Sequence, residues 1–249
     1  MPTTSSAHTQ TLILRPAEQR FHTQLDWLES WHSFSFAGHS DPAWMGFGPL
    51  RVINDDTIAA GRGFGMHPHR DMEIVTVMVD GELSHADSMG HSEVLRAGEV
   101  QRMSAGTGIV HSEINRSDQP CRLLQIWIEP EQIGIEPVYE QQPFAIGAGW
   151  TPLIDPAGTS GAMATAGNSR IWRASPQPQE PLPLPTEPET DLWIQVINGE
   201  LELRLDDGSS HRLGRGDGAG LVNAAQGHHT VAAIDHSTDV LLLALQRHT

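Results

Sequence analysis

Apolar positions along the chain alternate with polar ones or come in short runs closed by Gly, Asn or Asp, and long stretches with a helical period are scarce. Glu73-Ile74-Val75-Thr76-Val77-Met78-Val79 runs into Asp80-Gly81, the pattern of a strand entering a tight hairpin turn. Leu123 to Ile128, Leu192 to Ile197, Leu201 to Leu205 and Val240 to Leu245 read the same way, so the pattern predicts a mostly β protein. The Pro- and Gln-rich stretch from Ser175 to Pro188 lacks too many amide donors for a central strand and is expected to be an exposed, extended loop. From Pro130 to Trp150 the strand pattern lapses, and the division into two units is placed there, at 1–135 and 136–249.

The two units resemble each other. Gly81-Glu82-Leu83 returns as Gly199-Glu200-Leu201, and Leu95 with Gly98-Glu99 returns as Leu213 with Gly216-Asp217. Both pairs are offset by 118 residues (199 - 81 and 216 - 98), which points to duplication of one β unit.

Composition narrows the function. The 249 residues carry 31 carboxylates against 15 positive side chains, all arginine, for a formal net charge of -16. Such a balance disfavours direct nucleic-acid binding. A lone cysteine, Cys121, excludes an intramolecular disulfide and a Cys-rich zinc module. Met1 to Ser6 shows neither the basic nor the apolar part of a secretion signal, and Val240 to Leu245 is too short to span a bilayer. A soluble, cytoplasmic protein without a membrane partner is therefore expected, and a monomer.

The candidate chemistry lies in the first unit. Gly61-Arg62-Gly63-Phe64-Gly65-Met66-His67-Pro68-His69-Arg70-Asp71-Met72-Glu73 places two imidazoles two residues apart, hence on one face of a strand. Gly106-Thr107-Gly108-Ile109-Val110-His111-Ser112-Glu113 repeats that spacing with a carboxylate. Laid side by side, these strands would bring three imidazoles and a carboxylate to one point, a donor set for a divalent transition metal with coordination positions left open. Glu73 is an alternative carboxylate to Glu113. Other histidines, such as His8, His22, His32, His85, His91 and His211, lack partners at this spacing and are expected to be solvent-facing or structural. The glycines of 61–65 lack the lysine of a phosphate loop, and no Gly-x-Ser-x-Gly elbow is present.

The paired motifs resemble the cupin superfamily. Phe64 to Glu73 together with Met103 to Gly108 is similar to the pirin family of bicupins, a likeness that extends upstream through Trp31 to Phe36 and Met45 to Asn54. It is close from about Leu12 to Pro130 and looser beyond. The resemblance implies an all-β fold of two jelly-roll barrels and metal ligation by His67, His69, His111 and Glu113. It further implies Fe(II) as the metal, with Ni, Co, Cu, Mn or Zn as alternatives. The implied activity is oxidative ring opening of a flavonol such as quercetin by O2 with release of CO, Glu113 acting as the base. The general cupin pattern would instead take Glu73 as the ligand; both glutamates have the strand parity to face the imidazoles, the pirin likeness favours Glu113, and Glu73 is then expected to support the ligands from behind. Pirin-like proteins also act as regulatory modules, so a metal-dependent protein-binding function is the rival expectation. At the offset of 118, His67, His69 and Glu113 correspond to Pro185, Glu187 and Val231, and only His111 keeps its identity, as His229. The second unit is thus expected to have lost the metal site and to serve as a wall for the first.

Overall fold

A computed structural model describes residues 11–186, 188–224 and 227–246. The first part of the chain forms β1 (Thr11–Arg15), β2 (Phe21–Gln24), β3 (Leu28–His32), β4 (Leu50–Ile58), β5 (Gly63–His69), β6 (Glu73–Asp80), β7 (Glu82–Asp87), β8 (Ser92–Arg96), β9 (Glu99–Ser104), β10 (Ile109–Ile114), β11 (Cys121–Ile128) and β12 (Val138–Pro143). The second part forms β13 (Thr151–Asp155), β14 (Met163–Ala164), β15 (Arg170–Ala174), β16 (Leu182–Pro183), β17 (Thr190–Asn198), β18 (Glu200–Arg204), β19 (Ser210–Gly214), β20 (Gly218–Val222), β21 (Thr230–Ala233) and β22 (Asp239–Gln246). Among the described residues helical structure consists of short 3-10 turns such as Pro42–Trp44. The expected all-β class is what the chain adopts.

Each half is a sandwich of a large and a small sheet. The large sheets run β12-β9-β6-β11-β4-β3-β2 and β1-β20-β17-β22-β15-β13-β14, and the small ones β5-β10-β7-β8 and β16-β21-β18-β19. The duplication shows in both order and position: β7 and β18, β8 and β19, β11 and β22 all begin 118 residues apart. Gly81 and Gly199 recur because each turn needs a positive φ, +74° and +69°, and because a Cβ would press on Cys121 in one and on Thr238 in the other.

One strand crosses each way between the halves. β1 pairs along its length with β20, and β12 pairs with β9, so each large sheet ends on a strand from the far side of the repeat. β12 lies in the stretch where the sequence showed no strand pattern. An edge strand reading Val-Tyr-Glu-Gln-Gln-Pro is partly exposed throughout and so carries no apolar alternation, and its Pro143 is tolerated at an edge. Most of the described part of the Pro- and Gln-rich stretch lies outside regular structure, with a left-handed φ of 63° at Gln179. It also adds the short strand β16 to β21 and buries Leu184.

The central strands of the large sheets are buried on both faces. On β6 and β11, Val75, Val77, Leu124, Ile126 and Ile128 point toward the other half, where they meet Trp193, Ile197, Leu241, Leu243 and Leu245. The opposite faces, including Met78 and Leu123, line the interior of the first barrel. Trp193 is fully buried in this shared core, its ring 4.9 Å from Phe34 and 5.3 Å from Phe47. Trp193→Ala should destabilise the whole chain by ~3–5 kcal/mol. That corresponds to a fall of roughly 6–20 °C in Tm by calorimetry, and a fall under 2 °C would show that the two halves do not depend on this core.

Candidate metal centre

The site begins with the register of β5 on β10. The strands are antiparallel, with His111 opposite His67 and Ile109 opposite His69. β5 is the edge of its sheet, the place where Pro68 can sit between the two histidines without leaving a ladder bond unmade. Beyond His111 the register shifts, so that Glu113 lies opposite Phe64 and Ile114 opposite Gly63. Gly63, with φ of +156°, has no room for a side chain, because a Cβ would run into the Glu113 carbonyl oxygen.

The three imidazoles therefore converge. Ring centroids of His67 and His111 are 4.4 Å apart, His67 and His69 4.8 Å, and His69 and His111 4.9 Å. One nitrogen from each lies within 4.8 Å of the others. His67 Nδ1 is 2.8 Å from the Gly65 carbonyl, so Nδ1 carries the proton and Nε2 keeps its lone pair. Burial, reinforced by the neighbouring imidazoles, pushes the pKa of His69 down to about 4 and that of His111 to about 3, leaving both neutral. His111 Nε2 is buried and has no hydrogen-bond partner among the described residues. A buried polar atom left in that state costs about 1–3 kcal/mol. Three imidazoles gathered this closely, with an unmet Nε2 on His111, fit a borderline divalent transition metal.

Glu113 is buried beside them and forms a second potential ligand group with His111 and His85. Gln125 Nε2 donates to its Oε2 at 2.9 Å, while Gln101 Nε2 and Thr76 Oγ1 donate to Oε1, each at 3.4 Å. Burial raises its pKa against the opposing pull of His67 and these donors. Glu73 is elsewhere. Its position on β6 shares parity with Val75 and Val77, so its carboxylate faces the second half, where Ser104 and Thr165 donate to it at 2.9 and 2.8 Å and Arg102 lies at 3.9 Å. The expectation that both glutamates could face the imidazoles is corrected accordingly: Glu73 lies on the outer face of its strand and is not beside them.

His67 and His69 open onto a cleft of about 150 Å³. Phe36, Phe64 and Trp127 form its aromatic walls, and Asn54, Asp56 and Gln125 join His67, His69 and Glu113 as its polar surface. His85 and His91, expected to be solvent-facing or structural, are neither simply exposed nor isolated. His85 is buried, 3.4 Å from His111 Nδ1, and His91 shares Asp87 with it. Their spacing to His111 is long in sequence and becomes short through the β7–β10 pairing, with Glu113 opposite His85 and His111 opposite Asp87. His32 is also buried, bonded to Asn54. His8 and Glu187 lie outside the described residues.

The second half repeats the frame without the chemistry. The counterparts of Thr76, Gln101 and Glu113 at the offset of 118 are Ile194, Ala219 and Val231, all in one aliphatic cluster. Leu182 lies opposite Val231 as Phe64 lies opposite Glu113.

Two jelly-roll halves with imidazoles gathered in one barrel define a bicupin with a single candidate metal centre among the described residues. Residues 14–128 match the sequence pattern of the family described as Pirin. A quercetin 2,3-dioxygenase from Escherichia coli strain K12 is 46% identical over 193 residues, covering 77% of this chain and 84% of that protein. The crystal structure of YhhW from Escherichia coli superposes with a TM-score of 0.88 at 40% identity, covering 96% of this chain and 99% of the other. The bacterial pirin YhhW from Escherichia coli in complex with nickel(II) matches equally, at TM-score 0.88 and 40% identity over 96% of this chain and 100% of that one. This chain belongs to the pirin family.

One titration inside the cleft is accessible to measurement. Burial, aided by Asp55 and Glu113 and opposed by the Ser30 hydroxyl that donates to it, lifts the Asp56 carboxyl from an ordinary 3.8 to about 7. The folded protein thus keeps a proton that the unfolded chain releases above 3.8, and this contribution to stability declines as pH rises from about 4 to about 7. In the metal-free protein, Asp56→Asn should flatten that part of the curve and gain on the parent between pH 5 and pH 8 in urea midpoint. Parallel curves for the two proteins would rule out the elevated pKa.

Proposed function

We propose that this protein is a metal-dependent oxidoreductase that opens the heterocyclic ring of flavonols such as quercetin, consuming O2 and releasing CO. The observation that carries this reading is the gathering of His67, His69 and His111, with Glu113 grouped with His111, beside an aromatic-walled cleft. The names of the similar proteins, quercetin 2,3-dioxygenase and a nickel(II)-bound pirin, support it. The reading assigns the chemistry to the unit at 1–135 and a structural role to 136–249. Its cytoplasmic setting rests on a lone buried thiol, Cys121, and on the absence of a membrane-length apolar helix among the described residues.

His67, His69 and His111 would hold a divalent ion, Fe(II) first among the candidates, with Glu113 as the fourth donor or as a base beside it. The ion would supply Lewis acidity that lowers the pKa of the flavonol 3-hydroxyl. Phe36, Phe64 and Trp127 bind the planar rings through stacking and apolar contact. A Glu113 oxygen takes the 3-hydroxyl proton, and burial makes that carboxylate a stronger base than an exposed one. Gln125, Gln101 and Thr76 keep the carboxylate aimed while it does so. The buried aliphatic core behind the site keeps bulk water from that side.

Loss of the quercetin absorption band with CO evolution should appear when the protein is reconstituted with one of Fe(II), Ni(II), Co(II), Cu(II), Mn(II) or Zn(II). It should vanish on chelation and in His67→Ala. Glu113→Gln should retain metal yet lose about 10²–10⁴-fold in turnover; undiminished turnover would remove Glu113 from the base role. Tight metal binding without turnover under any of these ions would favour the regulatory reading and refute the enzymatic one.

A further inference from the structure

Four side chains form a continuous hydrogen-bonded series from the protein surface to the back of the candidate metal centre. His91, whose side chain is 38% exposed, has Nδ1 2.9 Å from Asp87 Oδ2. The same oxygen is 3.1 Å from His85 Nε2. His85 Nδ1 in turn is 3.4 Å from His111 Nδ1. His85 and the Asp87 side chain are buried, and both point inward because they share strand parity on β7.

The donor and acceptor roles along this series have one consistent assignment. Asp87 Oδ1 accepts the backbone N–H groups of Met89 at 2.9 Å and His91 at 3.1 Å. With two imidazoles on Oδ2, the carboxylate is surrounded by donors and acts as an acceptor only. His91 Nδ1 and His85 Nε2 therefore donate to it. A neutral His85 with its proton on Nε2 has a bare Nδ1, which accepts from His111 Nδ1–H. His111 is then left with its lone pair on Nε2, the atom that is buried without a partner on the His67 and His69 side. Tyr139 holds the series in place from β12, stacked on His85 at 4.5 Å and on His91 at 4.8 Å.

We propose that Asp87 and His85 are positioning residues that fix the tautomer and ring orientation of His111, so that Nε2 is presented to a divalent metal ion. The proposal rests on the metal-site reading above and deepens it. It also gives the second cluster, His85 with His111 and Glu113, a role other than a second metal site, because both ring nitrogens of His85 are already engaged. An outer carboxylate that orients a metal-binding histidine typically changes metal affinity by 10–100-fold when removed.

Two measurements test it. Long-range ¹H–¹⁵N NMR of the metal-free protein should find the His111 proton on Nδ1. In Asp87→Asn the amide can donate to His85 Nε2, which turns the series round and moves the His111 proton to Nε2. Nickel(II) titration by calorimetry should then show one equivalent bound to the parent and about 10–100-fold weaker binding to Asp87→Asn. His85→Phe preserves the stack on Tyr139 and removes the acceptor, so it should weaken nickel binding similarly and serves if Asp87→Asn does not fold. A proton on His111 Nε2 in the parent overturns the proposal, as does nickel affinity within twofold of the parent in both variants. Two nickel equivalents in the parent, one lost in His85→Phe, overturn it in favour of a second site. If the parent binds no nickel, the metal-site reading fails, and the NMR comparison of parent and Asp87→Asn still decides the tautomer assignment. If nickel binds as expected but no ion supports quercetin turnover, the enzymatic reading fails and the positioning role stands.

Discussion

The register between β5 and β10 is the constraint on which the site depends. Side chains on a strand alternate faces, so a slip of one residue would turn His67 and His69 away from the barrel interior together. The observed pairing places His67 against His111, Glu113 two residues on along β10 shares the His111 face, and the shift, an extra residue in β5, sets Phe64 opposite Glu113. Gly63 permits that shift because the Glu113 carbonyl occupies the space where a side chain would begin. Burial lowers the pKa of His69 and His111, and the gathered imidazoles add to this by repelling one another's protonated forms, so the fold supplies neutral donors at these two positions.

Duplication provided two frames and only one of them carries polar chemistry. In the first barrel Gln101 and Gln125 can be buried because Glu113 accepts from each of them, and Gln125 Oε1 in turn accepts from Thr76 at 2.7 Å. Remove the carboxylate and those donors lose their acceptor, at a penalty for each. The second barrel holds Ile194, Ala219 and Val231 at the equivalent positions, so the loss of the acid and the loss of its donors go together. An aliphatic cluster at these positions suits a half whose other face supplies Trp193, Leu241 and Leu243 to the shared core.

The two halves are bound by more than that core. β12 brings Tyr139 against His85 in the first barrel, while β1 closes the second sheet on β20. Arg122 clasps Asp55 within the first half and reaches Asn198 and the Ile197 carbonyl in the second. Thr165 crosses to Glu73. Surroundings of the metal centre are therefore assembled from both repeats although its candidate ligands come from one.

Short-range information sufficed for much of this. Period-two alternation and glycine turns identified β6, β11, β17, β18 and β22, since those patterns arise from local geometry and one-residue burial. The offset of 118 disclosed the repeat, and the spacing of His67, His69, His111 and Glu113 disclosed a shared face on each of two strands. β12 escaped detection because an exposed edge strand has no apolar face to reveal it. Glu73 could not be separated from Glu113 by parity alone, because parity says which residues share a face and not which interior that face meets; β6 is buried on both sides, and only the packing of the second half shows which side is which. The hydrogen-bond partners of His85 and Asp87 and the burial of Asp56 were likewise visible only in the tertiary structure. Their partners are distant in sequence, and hydrogen-bond direction and desolvation depend on what the fold brings within a few ångströms.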